Sequence, residues 1–354
     1  MRKPYIDNIR SLTILLVVLY HVIYMFNAVA TDGVIGPVTA FHGQDALQYL
    51  LYPWFMVILF ILSGMCSRFY LEKHTEKEYV WARTRKLLVP STIGLLVFGW
   101  AQGYFNMAIS HAFDQMQGTV PIPVLYLILC VSGTGVLWTI QVMWILSMVL
   151  LLIRKLEKGR LFALTEKAGI LTALLLGIFV YGSAQILNMP VICVYRFGIY
   201  GMAFLTGYYV FSNEKVINEL EKYWLPLLLA ALAAGILYAC MDYGKNYAVA
   251  PYVNSPVAVL YGWLMCLAVM GSMKRFAGRE NRVWQFLKQK NFGLYVFHYL
   301  PLSVCAYELY THTQLPGILL YFLTGLAAFL GGLLLYEIVR RIPGLRWCLL
   351  GLHR

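Results

Sequence analysis

Apolar runs of roughly 18 to 23 residues recur along this chain, each long enough to carry a helix across ~30 Å of hydrocarbon. Short segments rich in charge, glycine and proline separate them. The pattern predicts an all-α, polytopic transmembrane bundle of about ten spans, over 9–28, 47–69, 88–109, 136–154, 167–187, 195–212, 224–241, 256–273, 293–310 and 317–339. The first run carries no small-residue cleavage site and is expected to be retained as a span. One further apolar piece, PIPVLYLILCV at 121–131, is too short to cross and is predicted as an interfacial or re-entrant helix, with an eleventh span as the alternative. No repeat, long linker or soluble segment interrupts the pattern, so residues 1–354 are expected to form a single membrane-embedded domain.

Within the first run, IDNIRSLTILLVVLYHVIYMF, Arg10 and His21 stand out. Eleven residues at ~100° each bring both onto one stripe of a helix, roughly 16 Å apart along its axis. Ionisable groups at such depth are costly and usually face a bundle interior or a watery cavity. His21 is either a structural hydrogen-bonder or a base. Its apolar neighbours favour the neutral ring that a base requires, and Tyr20 and Tyr24 add hydroxyls nearby. Arg10 is placed to meet an anion, or alternatively pairs with Asp7 at i−3.

Composition agrees with the span pattern. The chain is 60% hydrophobic and 12% charged, about half the charge fraction of a soluble domain. The net charge of +12 does not point to nucleic acid. Of the 28 Lys and Arg, all but Arg196 and Lys245 fall in the loops and span ends of one membrane face. By the positive-inside rule that face, carrying both termini, is cytoplasmic. The opposite loops hold Asp32, His42, Gln44, Asp45, His111, Asp114, Gln117, Asp242 and His312, either an ordinary loop composition or a lining for a polar, uncharged ligand. Seven scattered cysteines, Cys193 among them, show no metal-binding spacing and read as small buried hydrophobes; no metal is expected.

Four further segments hold candidate chemistry. In FILSGMCSRFYL (60–71), Ser63-Gly64 predicts close helix approach or a kink; GxSxG is absent, so Ser63 is not read as a nucleophile. In EYVWARTRKLLVP (78–90), Arg83, Arg85 and Lys86 precede a span that contains Pro90. They are either plain cytoplasmic positive charge or a phosphate cradle. In NFGLYVFHYLPLSV (291–304), Pro301 frees the carbonyl of Phe297, and Tyr295 shares a face with His298. His298 either completes a polar cluster with His21 or serves as a structural hydrogen-bonder. Finally, Arg196 opens a span from the outer side with no acid close in sequence, to meet a headgroup, a substrate or an acid such as Asp32 or Asp45. Gln141, in LWTIQVMW, is a candidate substrate hydrogen-bonder.

These pieces, in this order, resemble the integral-membrane acyltransferase-3 family. YIDNIRSLTILLVVLYH is similar to the family's opening span, in which a basic residue precedes a histidine by eleven positions. FILSG, VWARTRKLLVP and FGLYVFHYLP resemble its later signatures, LWTIQVMWIL more loosely, and KLLVPSTIG is similar to the subgroup that includes glucan biosynthesis protein C. The resemblance implies transfer of an acyl group, acetyl before succinyl, from cytoplasmic acyl-CoA to a hydroxyl of an extracytoplasmic glycan or similar acceptor at the cell membrane. It implies that His21 is catalytic with Arg10 in support, and that Arg83, Arg85 and Lys86 meet the donor's phosphates. Lys86 stands where the family tends to carry arginine. His298 or Tyr295 is then a candidate donor to the oxyanion. No permanently bound cofactor is implied. The rivals are a transporter, against which the lack of mid-span Asp or Glu argues, and a non-catalytic membrane sensor module.

Overall fold

The computed structural model describes residues 3–29, 33–115, 120–189 and 194–352. Asp32, Gln117 and Cys193 lie outside the described residues. Secondary structure within them is helical, apart from an isolated bridge between Asn188 and Arg196. The helices are α1 (Pro4–Met25), α2 (Ala46–Leu71), α3 (Glu76–Ile109), α4 (Ile122–Ser132), α5 (Trp138–Glu157), α6 (Ile170–Ala184), α7 (Phe197–Phe211), α8 (Glu214–Lys222), α9 (Trp224–Asp242), α10 (Pro256–Phe276), α11 (Arg282–Phe297), α12 (Tyr299–His312), α13 (Gly317–Arg341) and α14 (Pro343–Leu350). Beyond α5 comes one short helix, Arg160–Thr165.

Among the described residues, seven helices are long and apolar enough to cross a membrane: α1, α2, α3, α5, α9, α10 and α13. This is a multi-pass, all-α membrane protein. The other three expected spans fall on shorter helices. α6 and α7 each extend only ~22 Å, short of the hydrocarbon thickness. The predicted span at 293–310 is a broken pair, α11 and α12, with His298 at the join. Pro301 has no N–H for the carbonyl of Phe297, so the ladder opens there, and Leu302 N–H bonds His298 O at 3.2 Å. The piece at 121–131 is the 11-residue α4, too short to cross, as its length predicted.

α3 shows the same physics. Pro90 withholds a donor from Lys86 O, and the helix widens into a π turn over Thr84–Leu88. Side chains cover the loosened carbonyls: Ser91 Oγ donates to Leu87 O at 2.7 Å and Thr92 Oγ1 to Leu88 O at 2.6 Å. Gln141 Nε2 donates to Ser91 O at 3.1 Å.

The helices gather into two compact units, each assembled from separated stretches of chain. The first holds Met1–Thr13, Tyr49–Trp81 and Val142–Lys288. In it α2 crosses α7 at backbone contact: a Cβ on Gly64 would stand 1.9 Å from Phe204 O, and one on Gly207 would stand 2.0 Å from Ile61 O. The close approach expected of Ser63-Gly64 is therefore real and reciprocal. Trp263 Nε1 donates to Ala173 O at 2.9 Å, tying α10 to α6. α8, which falls between the predicted spans 195–212 and 224–241, is an amphipathic helix. Asn213 caps it through Lys215 N at 2.9 Å, and Val216, Ile217 and Leu220 are its buried face.

The second unit holds Ile14–Gln48, Ala82–Gln141 and Gln289–Arg354. Gln102 Nε2 of α3 donates to Ser303 Oγ of α12 at 3.0 Å. α13 runs beside α1, where Tyr321 OH donates to Phe26 O at 3.3 Å. α14 folds back on α3, with the backbone of Cys348 against Gly94.

Candidate active site

His21 sits in the membrane-embedded half of α1 that belongs to the second unit. Its Nδ1 lies 2.8 Å from the carbonyl oxygen of Val17, one turn back on the same helix. His298, fully buried at the α11–α12 break, lies beside it: Nε2 of His298 is 3.2 Å from Nδ1 of His21. The ring centroids are 5.1 Å apart and tilted by 47°. The far side of His298 is held too. Its Nδ1 is 3.0 Å from Leu294 O and 2.9 Å from Tyr295 O. Gly332 of α13 presses on its backbone; a Cβ there would stand 3.0 Å from His298 Cα. The Tyr299 ring meets His21 edge-on at 5.0 Å, and Tyr20 does so at 5.2 Å.

These contacts assign the protons. Carbonyl oxygens only accept, so Nδ1 of His298 carries hydrogen and, in the neutral ring, its Nε2 offers a lone pair. Nδ1 of His21 faces that lone pair and the Val17 carbonyl, two acceptors, so it is the donor. The His21 lone pair is thereby placed on Nε2. A histidine held by Nδ1–H with a bare Nε2 is the form a general base or a nucleophile needs.

The other predicted residues divide clearly. Tyr295 donates its hydroxyl to Val136 O at 2.5 Å, and both ring nitrogens of His298 are engaged as described. Tyr295 thereby ties α11 to the segment before α5, and His298 ties the α11–α12 break to α1. Tyr24 stacks on Tyr20 at 5.7 Å. Gln141, expected at a substrate, bonds the Ser91 carbonyl exposed by the irregular α3 ladder. Arg196 is no headgroup contact: it is 4% exposed, and its Nη2 donates to Val253 O at 3.2 Å and Asn254 Oδ1 at 2.8 Å. Among the described residues its partners come from the backbone and an amide. Asp45 accepts from Ala28 N at 3.0 Å.

Arg10, in the first unit, pairs once within α1 and once with α2. Nη1 lies 3.3 Å from Asp7 Oδ1, and Nη2 donates to Cys66 Sγ at 3.2 Å. Arg83, Arg85 and Lys86 ride the start of α3 around its first π turn. Arg83 and Arg85 are half-buried and Lys86 is exposed. Nε of Arg85 is buried without a hydrogen-bond acceptor. Gly351, in the left-handed region at φ +62°, lets the chain end pass against the Arg85 carbonyl. The sequence reading passed over Tyr299; its position beside His298 and ahead of a helix-breaking proline was the available signal.

A family model described as an acyltransferase domain matches residues 3–337, nearly the whole chain. The chain belongs to the acyltransferase-3 family. It is therefore a membrane acyltransferase, and the His21–His298 pair lies inside the matched region. Neither the curated proteins nor the solved structures contain a match to this acyltransferase.

Proposed function

We propose that this acyltransferase moves an acyl group, acetyl foremost, from cytoplasmic acyl-CoA to a hydroxyl of an extracytoplasmic glycan or similar acceptor in the cell membrane. The observation that carries the reading is the bare Nε2 of His21, set by the paired acceptors on its Nδ1. The acceptor hydroxyl attacks the thioester carbonyl carbon while Nε2 of His21 takes its proton. Collapse of the tetrahedral adduct breaks the carbon–sulfur bond. The departing thiolate recovers that proton, giving the ester, free coenzyme A thiol and a neutral His21. In the alternative course Nε2 itself attacks and expels the coenzyme A thiolate to give an acyl-histidine; the acceptor hydroxyl then attacks that acyl carbon, the imidazole leaves as the neutral ring, and the hydroxyl proton passes to the thiolate.

The charge that develops on the His21 ring during proton transfer is shared with His298 Nε2, which accepts from Nδ1–H. The donor's phosphates are assigned to Arg83, Arg85 and Lys86. The unmatched Nε–H of Arg85 supports this, because a buried guanidinium donor without an acceptor suits an oxyanion. Arg10 acts in support of the transfer, its charge tempered by Asp7. The one-sided distribution of Lys and Arg supports cytoplasmic termini.

Membranes holding the full chain are supplied with acetyl-CoA labelled in the acetyl group, and label entering envelope glycans is counted. His21→Ala is expected to reduce incorporation to background at unchanged protein level. Incorporation at the wild-type rate in that variant would refute the assignment.

A further inference from the structure

At the basic end of the first unit, a cavity of about 290 Å³ opens where several helices finish. Arg68 enters it from the last turn of α2 and Glu76 from the start of α3. Arg154, Lys155, Glu157 and Lys158 come from the end of α5, and Tyr208 and Tyr209 from the π turn that closes α7. Four cations thus meet two carboxylates. Both carboxylates are already engaged. Glu76 Oε1 faces Arg154 Nη1 at 3.3 Å. Glu157 Oε2 accepts from Leu161 N at 2.8 Å, and its Oε1 accepts from Tyr209 OH at 3.4 Å. The Arg68 guanidinium stacks 3.9 Å from the Phe162 ring centroid, and its Nε pairs with Glu72 at 3.0 Å.

What remains unmatched is of one kind. The Tyr208 hydroxyl, on a side chain 1% exposed, is buried without a partner. Lys155 and Lys158 stand exposed at the rim. The carbonyl ends of α2 and α5 account for some positive charge nearby. They do not account for a buried O–H with nothing to donate to, which costs about 1–3 kcal/mol when left so. Unmet donors, a surplus of one positive charge once Glu72 is counted, and an aromatic wall together call for a compact oxyanion.

We propose that this cavity of the first unit, lined by residues other than Arg83, Arg85 and Lys86, is a phosphate-binding site. The phosphate belongs either to a nucleotide-type ligand such as coenzyme A or to the headgroup of an anionic phospholipid. The nucleotide source rests on the function proposed above; the lipid source does not.

The test uses the full-length protein in nanodiscs and two variants, Tyr208→Phe and the double Lys155→Gln/Lys158→Gln. Both are expected to keep the fold, the first by preserving the ring and the second by changing only exposed side chains. Coenzyme A binding is measured by calorimetry. Thermal unfolding is compared between phosphatidylglycerol and phosphatidylcholine discs. Loss of a charge-assisted hydrogen bond predicts that the variants bind coenzyme A roughly tenfold more weakly if the nucleotide is the source. If lipid is the source, the extra thermal stability conferred by phosphatidylglycerol is lost in the variants while coenzyme A binding is unchanged. Variants that match the wild type in both measurements overturn the proposal. Acyl transfer is not read in either arm, so a failure of the His21 mechanism leaves the result interpretable.

Discussion

Replacing His298 by leucine isolates the contribution of the second ring. Leucine is apolar and of comparable size, but it offers no acceptor to Nδ1–H of His21. His21 then keeps only the Val17 carbonyl, at 2.8 Å, and loses the acceptor at 3.2 Å. The hydrogen bond contributes about 1 kcal/mol in the resting enzyme and more as the ring gains charge, since bonds to charged groups run at about 1.5–3 kcal/mol. At about 1.4 kcal/mol per factor of ten, kcat should fall about ten- to hundredfold, with the KM for acyl-CoA nearly unchanged. His298→Gln, whose carbonyl oxygen can accept in place of Nε2, should recover part of the loss. The assay is labelled acetyl transfer in nanodiscs across a pH series, with thermal unfolding as a control for folding. In the double variant His21→Ala/His298→Leu the rate should equal that of His21→Ala alone, because the second ring acts only through the first. Folded His298→Leu protein with wild-type kcat, or a further loss in the double variant, would refute the relay.

Other outcomes follow from the remaining geometry. Arg85→Gln should raise the KM for acyl-CoA by roughly tenfold and spare kcat, through loss of a charge-assisted phosphate contact; an unchanged KM would remove that segment from the donor site. Gly64→Leu places side-chain atoms where Phe204 O already stands 1.9 Å from the position of a Cβ, so overpacking should cost about 1–3 kcal/mol or more and lower the unfolding temperature in detergent. Burial raises the carboxyl pKa of Glu214 on α8, but the ammonium groups of Lys3 and Lys274 outweigh it and hold the group below its ordinary value. The stabilisation is therefore present above the unfolded carboxylate range and disappears as pH falls through the lower folded value. Being largely exposed, the pair is worth less than about 1 kcal/mol, and Glu214→Gln should flatten the acid limb of a stability–pH curve without shifting the neutral plateau.

How much could be read in advance is best seen residue by residue. Hydrophobic run length located the long spans and identified α4 as too short, because hydrocarbon thickness and helix rise are fixed quantities. Pro301 and Pro90 announced irregular ladders, since a missing N–H is a property of the residue itself. The Gly64 contact was legible as close approach, but its partner Gly207 on α7 was not. The partner of Arg196 was not legible because its neighbours in sequence hold no acceptor, while Asn254, which binds it, lies 58 positions away. Gln141 looked like a ligand contact for the same reason: the Ser91 carbonyl it covers is 50 positions distant.

The candidate active site shows the same division. The sequence by itself determined that a histidine lies deep in α1, in line with Arg10, because helical periodicity is local. Only the tertiary structure decided which nitrogen of His21 is bare. That depends on His298, 277 positions later, being turned by a proline break so that its own Nδ1 meets two carbonyls and its Nε2 meets His21. A tautomer is set by acceptors converging in space, and residues so far apart in the chain converge only through packing.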